Sequence, residues 1–482
     1  MLVFTRLWTC VNHRPTSIGI NPRRNINNGR NLVEYLTARD LVANVTRPHE
    51  LQQHLEKGPQ LVYSGIDPTA KSLHAGHLIP LLCLLHFQLQ GNKVIALIGG
   101  ATGLVGDPSG RLTERELSEA AQIEFNTAKL TDAIIKFFTR ATAYAAGKTS
   151  TPRSTIPGVQ VLNNISWLKE LDLLDFLRNT GIHYRINHMI ARDRHGACIS
   201  TVRTRMNAQE GMTFTEFTYQ LLQGYDFYEL YRTMGCTIQV GGSDQWGNIL
   251  CGLELINKAQ LGEAPLVETT KDKGFALTTP LLTTSSGQKF GKSAGNAVWL
   301  DENLTSYLDF YQFFMKTIDA DVGRYLKMFT LLSLEEITSI MQDHKSHPES
   351  RIAQRILAEE VTLMIHGEEG LNAAKVATAV LFGAEYSSLR ADQIVKSLSS
   401  DRRLVLCTED EMFNESLPNL AAIHKLLPSK SAARQLVLAG GFYLNNIPQR
   451  DPHFRLTRDN LLDGRVAIIR AGKDQHLVLA LQ

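Results

Sequence analysis

Residues 61–78 read Leu61-Val62-Tyr63-Ser64-Gly65-Ile66-Asp67-Pro68-Thr69-Ala70-Lys71-Ser72-Leu73-His74-Ala75-Gly76-His77-Leu78. The extended apolar run Leu61-Val62-Tyr63 predicts a strand that ends in an Asp-Pro turn, and the run from Leu78 to Gln90 predicts a helix. Such a strand carries Tyr63 and Asp67 to the carboxyl edge of a sheet, where open α/β folds bind their ligands. His74, Gly76 and His77 stand where the helix begins. A helix N-terminus leaves N–H groups unpaired and carries a partial positive charge, so it suits a phosphate. Glycine lets a ligand approach the backbone, and the two imidazoles add donors for a phosphoryl group. Read alone, the segment is equally a capped turn or a metal pair.

Further along, Lys93–Ile98 predicts a second strand running into the glycine-rich loop Gly99-Gly100-Ala101-Thr102-Gly103-Leu104-Val105-Gly106-Asp107-Pro108-Ser109-Gly110. This loop lacks the dinucleotide spacing G-x-G-x-x-G and taken alone is an ordinary strand-to-helix connection. A helix is predicted over Phe214–Met234, closed by Gly235. Within it Tyr219, Gln223 and Asp226 fall at i, i+4 and i+7 and share one face. Phenol, amide and carboxylate on one face suit either a pocket for a hydroxyl-bearing zwitterion or a solvated surface. In Gln239-Val240-Gly241-Gly242-Ser243-Asp244-Gln245 a strand ends in two glycines and a helix opens with Asp and Gln. That turn can hold a ribose or simply cap the helix. Finally, Lys289-Phe290-Gly291-Lys292-Ser293 places two lysines and a hydroxyl around a glycine, as a pyrophosphate-clamping loop or plain surface charge would.

In order and spacing these segments are similar to the signatures of class I aminoacyl-tRNA synthetases. YSGIDPTAKSLHAGHL, GGATGLVGDPSG, EFTYQLLQGYDF, QVGGSDQWGN and KFGKSAGNAVWL together resemble the tyrosyl enzymes of bacterial and mitochondrial type over most of residues 60–330. The resemblance implies an α/β fold with a Rossmann-like parallel-sheet catalytic domain. It implies that Tyr63 and Asp226 hold a substrate phenol, and that Asp107, Tyr219 and Gln223 hold its ammonium group with Gln239 nearby. Gly65, Asp67, Gly76, Gly242, Asp244, Gln245 and Ser293 would line the nucleotide. His74, His77, Lys289, Lys292 and Arg111 would stabilise the transition state. ATP, carried with Mg²⁺, would be a substrate, with no tightly bound cofactor and no protein metal site. Where relatives often carry cysteine and lysine, this chain has Ser64 and Arg111; neither change removes a required chemical group.

The same resemblance divides the chain into a catalytic domain at 34–300, an α-helical anticodon-binding domain at 301–383, a linker at 384–418 and a small S4-like α+β RNA-binding domain at 419–482. An insertion at about 114–210 would pair two subunits as a homodimer. Amphipathic runs at 304–315, 322–328, 334–344 and 351–366 predict the helices of the second domain. From Lys425 to Lys473 nine Lys/Arg stand against Asp451, Asp459 and Asp463, a local excess of six positive charges. Such a patch suits contact with a phosphate backbone, and Lys430 and Arg434 on a predicted helix are the expected contacts to tRNA-Tyr.

The chain has 482 residues and a net charge of +2. No apolar run reaches the ~18 residues of a membrane span. The cysteines at 10, 83, 198, 236, 251 and 407 form no C-x-x-C pair and no metal-ligand spacing, as in a reducing compartment. The first 33 residues contain five arginines and no acid, the pattern of a mitochondrial transit peptide and so of a matrix enzyme. The competing readings are a nucleotidyl transferase acting without tRNA, a tryptophan-specific relative, and an RNA-binding or splicing protein.

Overall fold

The computed structural model describes residues 31–109, 119–148, 152–191, 211–259, 273–281, 292–293, 296–382, 386, 389–399, 401–472 and 475–482. Its larger sheet has six strands: β1 (Asn44–Val45), β2 (Leu61–Ile66), β3 (Lys93–Ile98), β4 (Val159–Asn163), β5 (Ile238–Gly242) and β6 (Phe275–Thr279), in the order β1-β6-β5-β2-β3-β4. All pairings are parallel except that of β1 with β6. The chain winds outward from β2 through β3 to β4, then returns to lay β5 beside β2. Strand order therefore reverses between β2 and β5, and a crevice opens at the carboxyl ends of these two strands. This is the expected Rossmann-like arrangement.

Local sequence explains the elements around the crevice. β3 is apolar almost throughout because both faces of a parallel strand are covered. The helix Leu78–Leu89 is buried along nearly its whole length, between the sheet and the helices that follow it. The helix Phe214–Met234 starts at Thr213, whose hydroxyl accepts the Glu216 N–H while Glu216 reaches back to the Thr213 backbone. It stops at Gly235, whose φ of 70° is a left-handed cap that glycine adopts without strain.

Three boundaries differ from the sequence expectation. The expected insertion at 114–210 contains the helix Ala120–Lys148 and edge strand β4, both belonging to the catalytic layers. β4 is short and carries Gln160 and Asn163 among Val159, Val161 and Leu162, so its composition does not announce a core strand. The segment 384–418, expected as a linker with some local structure, contains the helix Ala391–Ser397 and strand β7 (Leu404–Cys407), which joins a sheet. β7 pairs in parallel with β11 (Gln475–Leu481), in a second sheet that also holds β8 (Phe442–Leu444), β9 (Ile447–Pro448) and β10 (Val466–Ala471). An edge strand four residues long has too little periodicity to be read locally. At the other end, residues 1–30 lie outside the described chain. Leu32 and Val33 are buried in the helix Leu32–Ala38, so the folded body begins earlier than residue 34.

Helices Tyr307–Met315, Asp319–Phe329, Leu334–Ser346 and Ile352–Phe382 occupy the region expected to be helical. The last runs past His366 but breaks at Gly367, where φ is 72°. Buried Arg39 bolts these helices to the N-terminal part of the chain, donating to the carbonyls of Lys327 and Thr330 at 2.7 Å and also to that of Leu332. Tyr144 and Lys148 both donate to the Glu360 carboxylate, joining the helix Ala120–Lys148 to the helix Ile352–Phe382.

Candidate active site

The crevice opens into a cavity of about 500 Å³. Tyr63 on β2 and Gln239 on β5 are register partners, so both side chains stand on the same face of the sheet. Both residues are buried, and among the described residues neither the Tyr63 hydroxyl nor Gln239 Oε1 has a hydrogen-bond partner. Burial, together with the neighbouring Asp226 carboxylate, holds the Tyr63 phenol well above its ordinary pKa, so it stays protonated and can donate. A donor and an acceptor are thus left open side by side, which native interiors rarely tolerate without a ligand to meet them.

Asp226, from the 214–234 helix, is buried beside them. Asn164 donates to its Oδ2 at 2.9 Å and the Trp167 indole N–H donates to its Oδ1 at 2.8 Å. Burial pushes its pKa up to about 7, against the lowering effect of those two donors. Asn164 also fastens the glycine-rich loop, accepting the Ala101 N–H at 2.8 Å and donating to Thr102.

Acidic groups dominate the rest of the wall. Asp67 accepts from the hydroxyls of Thr102 and Tyr219, each at 2.8 Å. Asp107 accepts from the Gln245 amide at 2.8 Å, and that amide also reaches Asp244. Burial, then Asp67 and Asp107, hold the Tyr219 phenol well above its usual range. Four aspartates and no lysine or arginine are among the described residues lining the cavity, so this part of it favours a cation such as an ammonium group. Gly99 is needed here because a Cβ would stand 2.0 Å from Asp67 Oδ1.

His74 and His77 stack at the cavity's edge with ring centroids 3.8 Å apart. His77 Nδ1 accepts the His74 N–H, and His74 Nδ1 accepts the Gly76 N–H, both at 3.1 Å. These bonds leave the proton of each neutral ring on Nε2. Burial and the second imidazole pull His77 down to about 3, so it is a neutral donor. The backbone differs from the expected phosphate cradle. Ala75 N–H goes to the Val298 carbonyl, and the His74, Gly76 and His77 N–H groups are all bonded within the turn. The peptide N–H groups of the turn are thus already taken, and the imidazoles are the donors this segment presents at the cavity's edge.

The bond from Ala75 to Val298, with Leu300 N–H returning to the Leu73 carbonyl, joins this turn to the chain just after the Lys292–Ser293 strand. Lys292 and Ser293 pair with Asn296 and Ala297 in a short hairpin. The two sequence signatures thus converge, although Lys289 and Arg111 lie outside the described residues. Gly65, Asp67, Gly76, Gln223, Gly242, Asp244 and Gln245 all line the cavity. Lys430 and Arg434 do not; they lie one turn apart on the distant helix Lys430–Leu438. Sequence reading missed Asn164, Trp167 and Thr102. The only local signal for them is the polar pair Asn163-Asn164 closing a valine-rich run.

Comparison with known proteins agrees with this geometry. The family described as tRNA synthetases class I (W and Y) matches residues 55–383. A curated relative named tyrosine--tRNA ligase 1, from Bacillus subtilis, is 39% identical over 449 residues, covering 93% of this chain and 99% of the relative. A protein of the same name from Photorhabdus laumondii is 39% identical over 444 residues, covering 92% and 97%. Among solved structures, a C-terminally truncated mitochondrial tyrosyl-tRNA synthetase from Aspergillus nidulans superposes with a TM-score of 0.65 at 36% identity, covering 74% of this chain and 95% of that one. The counterpart from Coccidioides posadasii gives 0.63 at 32%, covering 72% and 91%. With the cavity at the switch point of its sheet and relatives matched over nearly their full length, the chain belongs to the class I tRNA synthetase family of the tryptophan and tyrosine enzymes.

Proposed function

We propose that this chain is a tyrosine--tRNA ligase of mitochondrial translation, activating L-tyrosine with ATP and transferring it to the 3′ end of tRNA-Tyr. The observation that carries the reading is the open Tyr63 hydroxyl beside Asp226. A substrate phenol accepts from Tyr63 and donates to Asp226, satisfying both, whereas an indole or a phenyl ring leaves the Tyr63 hydroxyl unmet. The ammonium group sits among Asp107, Tyr219 and Gln223. The substrate carboxylate attacks the α-phosphorus in line and pyrophosphate leaves, so no protein nucleophile is required. Rate enhancement comes from positioning and from donors where charge builds, the Nε2–H groups of His74 and His77 and the cations of Lys289, Lys292 and Arg111. Gly65, Gly242, Asp244 and Gln245 receive the nucleotide, which brings Mg²⁺ with it.

In this reading the helices of 301–383 and the terminal unit bearing Lys430 and Arg434 engage tRNA, and residues 1–30 carry the chain to the mitochondrial matrix. A homodimer is supported by the exposed apolar side chains of Leu173, Leu174, Ile182 and Ile186, each more than 60% accessible, on the segment expected to pair subunits.

The deciding experiment is amino-acid-dependent ATP–pyrophosphate exchange on the chain beginning at Asn31, with tyrosine, phenylalanine and tryptophan compared. Exchange with tyrosine alone is expected. Exchange with tryptophan, or with none of the three, overturns the assignment.

A further inference from the structure

In the terminal unit, far along the chain from the catalytic crevice, three side chains of different chemistry meet at one point. Cys407 ends β7, Glu411 lies in the helix Glu409–Asn414, and His424 follows directly on the helix Leu417–Ile423. Cys407 Sγ is 3.8 Å from His424 Nε2, and Glu411 Oε1 is 3.2 Å from that same nitrogen. All three ligand atoms lie within 4.8 Å of one another.

A hydrolase-like relay does not explain the arrangement. In a relay the carboxylate and the nucleophile sit on opposite nitrogens of the imidazole; here both converge on Nε2. Convergence on one point is what ligands around an ion do. A tetrahedral ion bonded at about 2.3 Å to sulfur and about 2.0–2.1 Å to nitrogen and oxygen holds its ligand atoms roughly 3.3–3.6 Å apart. The observed separations of 3.8 and 3.2 Å need only a small adjustment. We propose that Cys407, Glu411 and His424 form a binding site for one Zn²⁺ ion. Sulfur and imidazole donors select it over Mg²⁺ or Ca²⁺, and water reaches the fourth position beside the part-exposed Glu411.

On binding, the thiol proton leaves to solvent and a zinc–sulfur bond replaces it, so the ion supplies the positive charge the cluster lacks. Three consecutive elements become cross-linked. The turn after His424, where Leu426 and Leu427 both donate to the Ala421 carbonyl, leads straight to Ser429, the cap of the basic 430–438 helix. The ion therefore fixes the orientation of the helix carrying Lys430 and Arg434. No motif spacing announces the site, because its third ligand arrives through the tertiary fold.

The test uses the full chain, loaded with Zn²⁺, dialysed against metal-free buffer and assayed for metal content, with Co²⁺ substitution as the spectroscopic probe. One ion per chain and a near-ultraviolet cobalt–thiolate band are expected. In Cys407→Ser the band should vanish and Zn²⁺ affinity fall at least ~10-fold, with ATP–pyrophosphate exchange unchanged. His424→Gln serves as the second variant should Cys407→Ser fail to fold. Substoichiometric metal, or an identical cobalt spectrum in the folded variant, overturns the site and leaves a hydrogen-bonded cluster only.

Discussion

The Trp167 indole N–H donates to Asp226 at 2.8 Å, tying the short helix after β4 to the helix that forms the opposite wall of the cavity. With Asn164 on the other oxygen, the carboxylate is aimed by two donors and still has lone pairs for a ligand. Burial opposes those donors and prevails, leaving the group near neutrality at about 7. Asp226 is therefore the most informative titrating group in the cavity.

Its raised pKa has a definite sign. The folded-state value lies above the ordinary 3.8, so its contribution to stability is fully present below pH ~4 and is lost as pH rises through 7. In chemical denaturation, the stability of Asp226→Asn relative to the parent should improve between pH 4 and 8, by roughly 4 kcal/mol at most. A gap independent of pH would refute the assignment. For the parent, the KM for tyrosine should fall as pH rises across 7, since the ionised carboxylate is the better acceptor for the hydrogen bond from the substrate phenol.

Tyr63→Phe separates binding from folding. The hydroxyl is buried without a partner among the described residues, so removing it should leave the ligand-free chain unchanged or stabilise it by ~1 kcal/mol. Tyrosine activation should drop roughly 10-fold in kcat/KM, with discrimination against phenylalanine reduced. Loss of stability with unchanged discrimination would show that the hydroxyl is structural.

His77 is held at about 3 and is neutral throughout the working range. Replacing it with Asn, which keeps an N–H donor, should preserve most of the exchange rate, whereas Ala should lose ~10²–10³-fold in kcat. Equal losses in the two variants would mean that the imidazole acts in another way.

Leu174→Glu tests the proposed dimer face. Leu174 is 75% exposed, next in the chain to Leu173, which is 68% exposed. A buried unpaired carboxylate is costly, so sedimentation should show the variant shifted to monomer while the parent remains dimeric. A parent that is monomeric at micromolar concentration would remove the basis for the pairing.

Much of the cavity was legible locally. The i, i+4, i+7 spacing of Tyr219, Gln223 and Asp226 is helix geometry, and Thr213 and Gly235 mark the ends of that helix by capping chemistry alone. β2 and β3 announce themselves by apolar content because a parallel interior strand is covered on both faces. β4 and β7 sit at sheet edges; β4 mixes polar with apolar side chains and β7 is only four residues long, so pattern reading assigned them to an insertion and a linker. Arg39 gives no local sign of being buried, since its partners are carbonyls almost 300 residues away.

From its sequence alone this protein's elements, their order, its family resemblance and its candidate site residues could be named, because caps, turns and periodicity depend on neighbours within a few positions. Tertiary structure decided which side chains meet. It set Asn164 and Trp167 on Asp226, Tyr219 on Asp67 and Gln245 on Asp107, and it left Tyr63 and Gln239 open on the cavity floor. These outcomes rest on desolvation and on hydrogen bonds between residues 59 to 152 positions apart. Charge state and open valence, the properties that select a substrate, come from those pairings and are not carried by any residue in isolation.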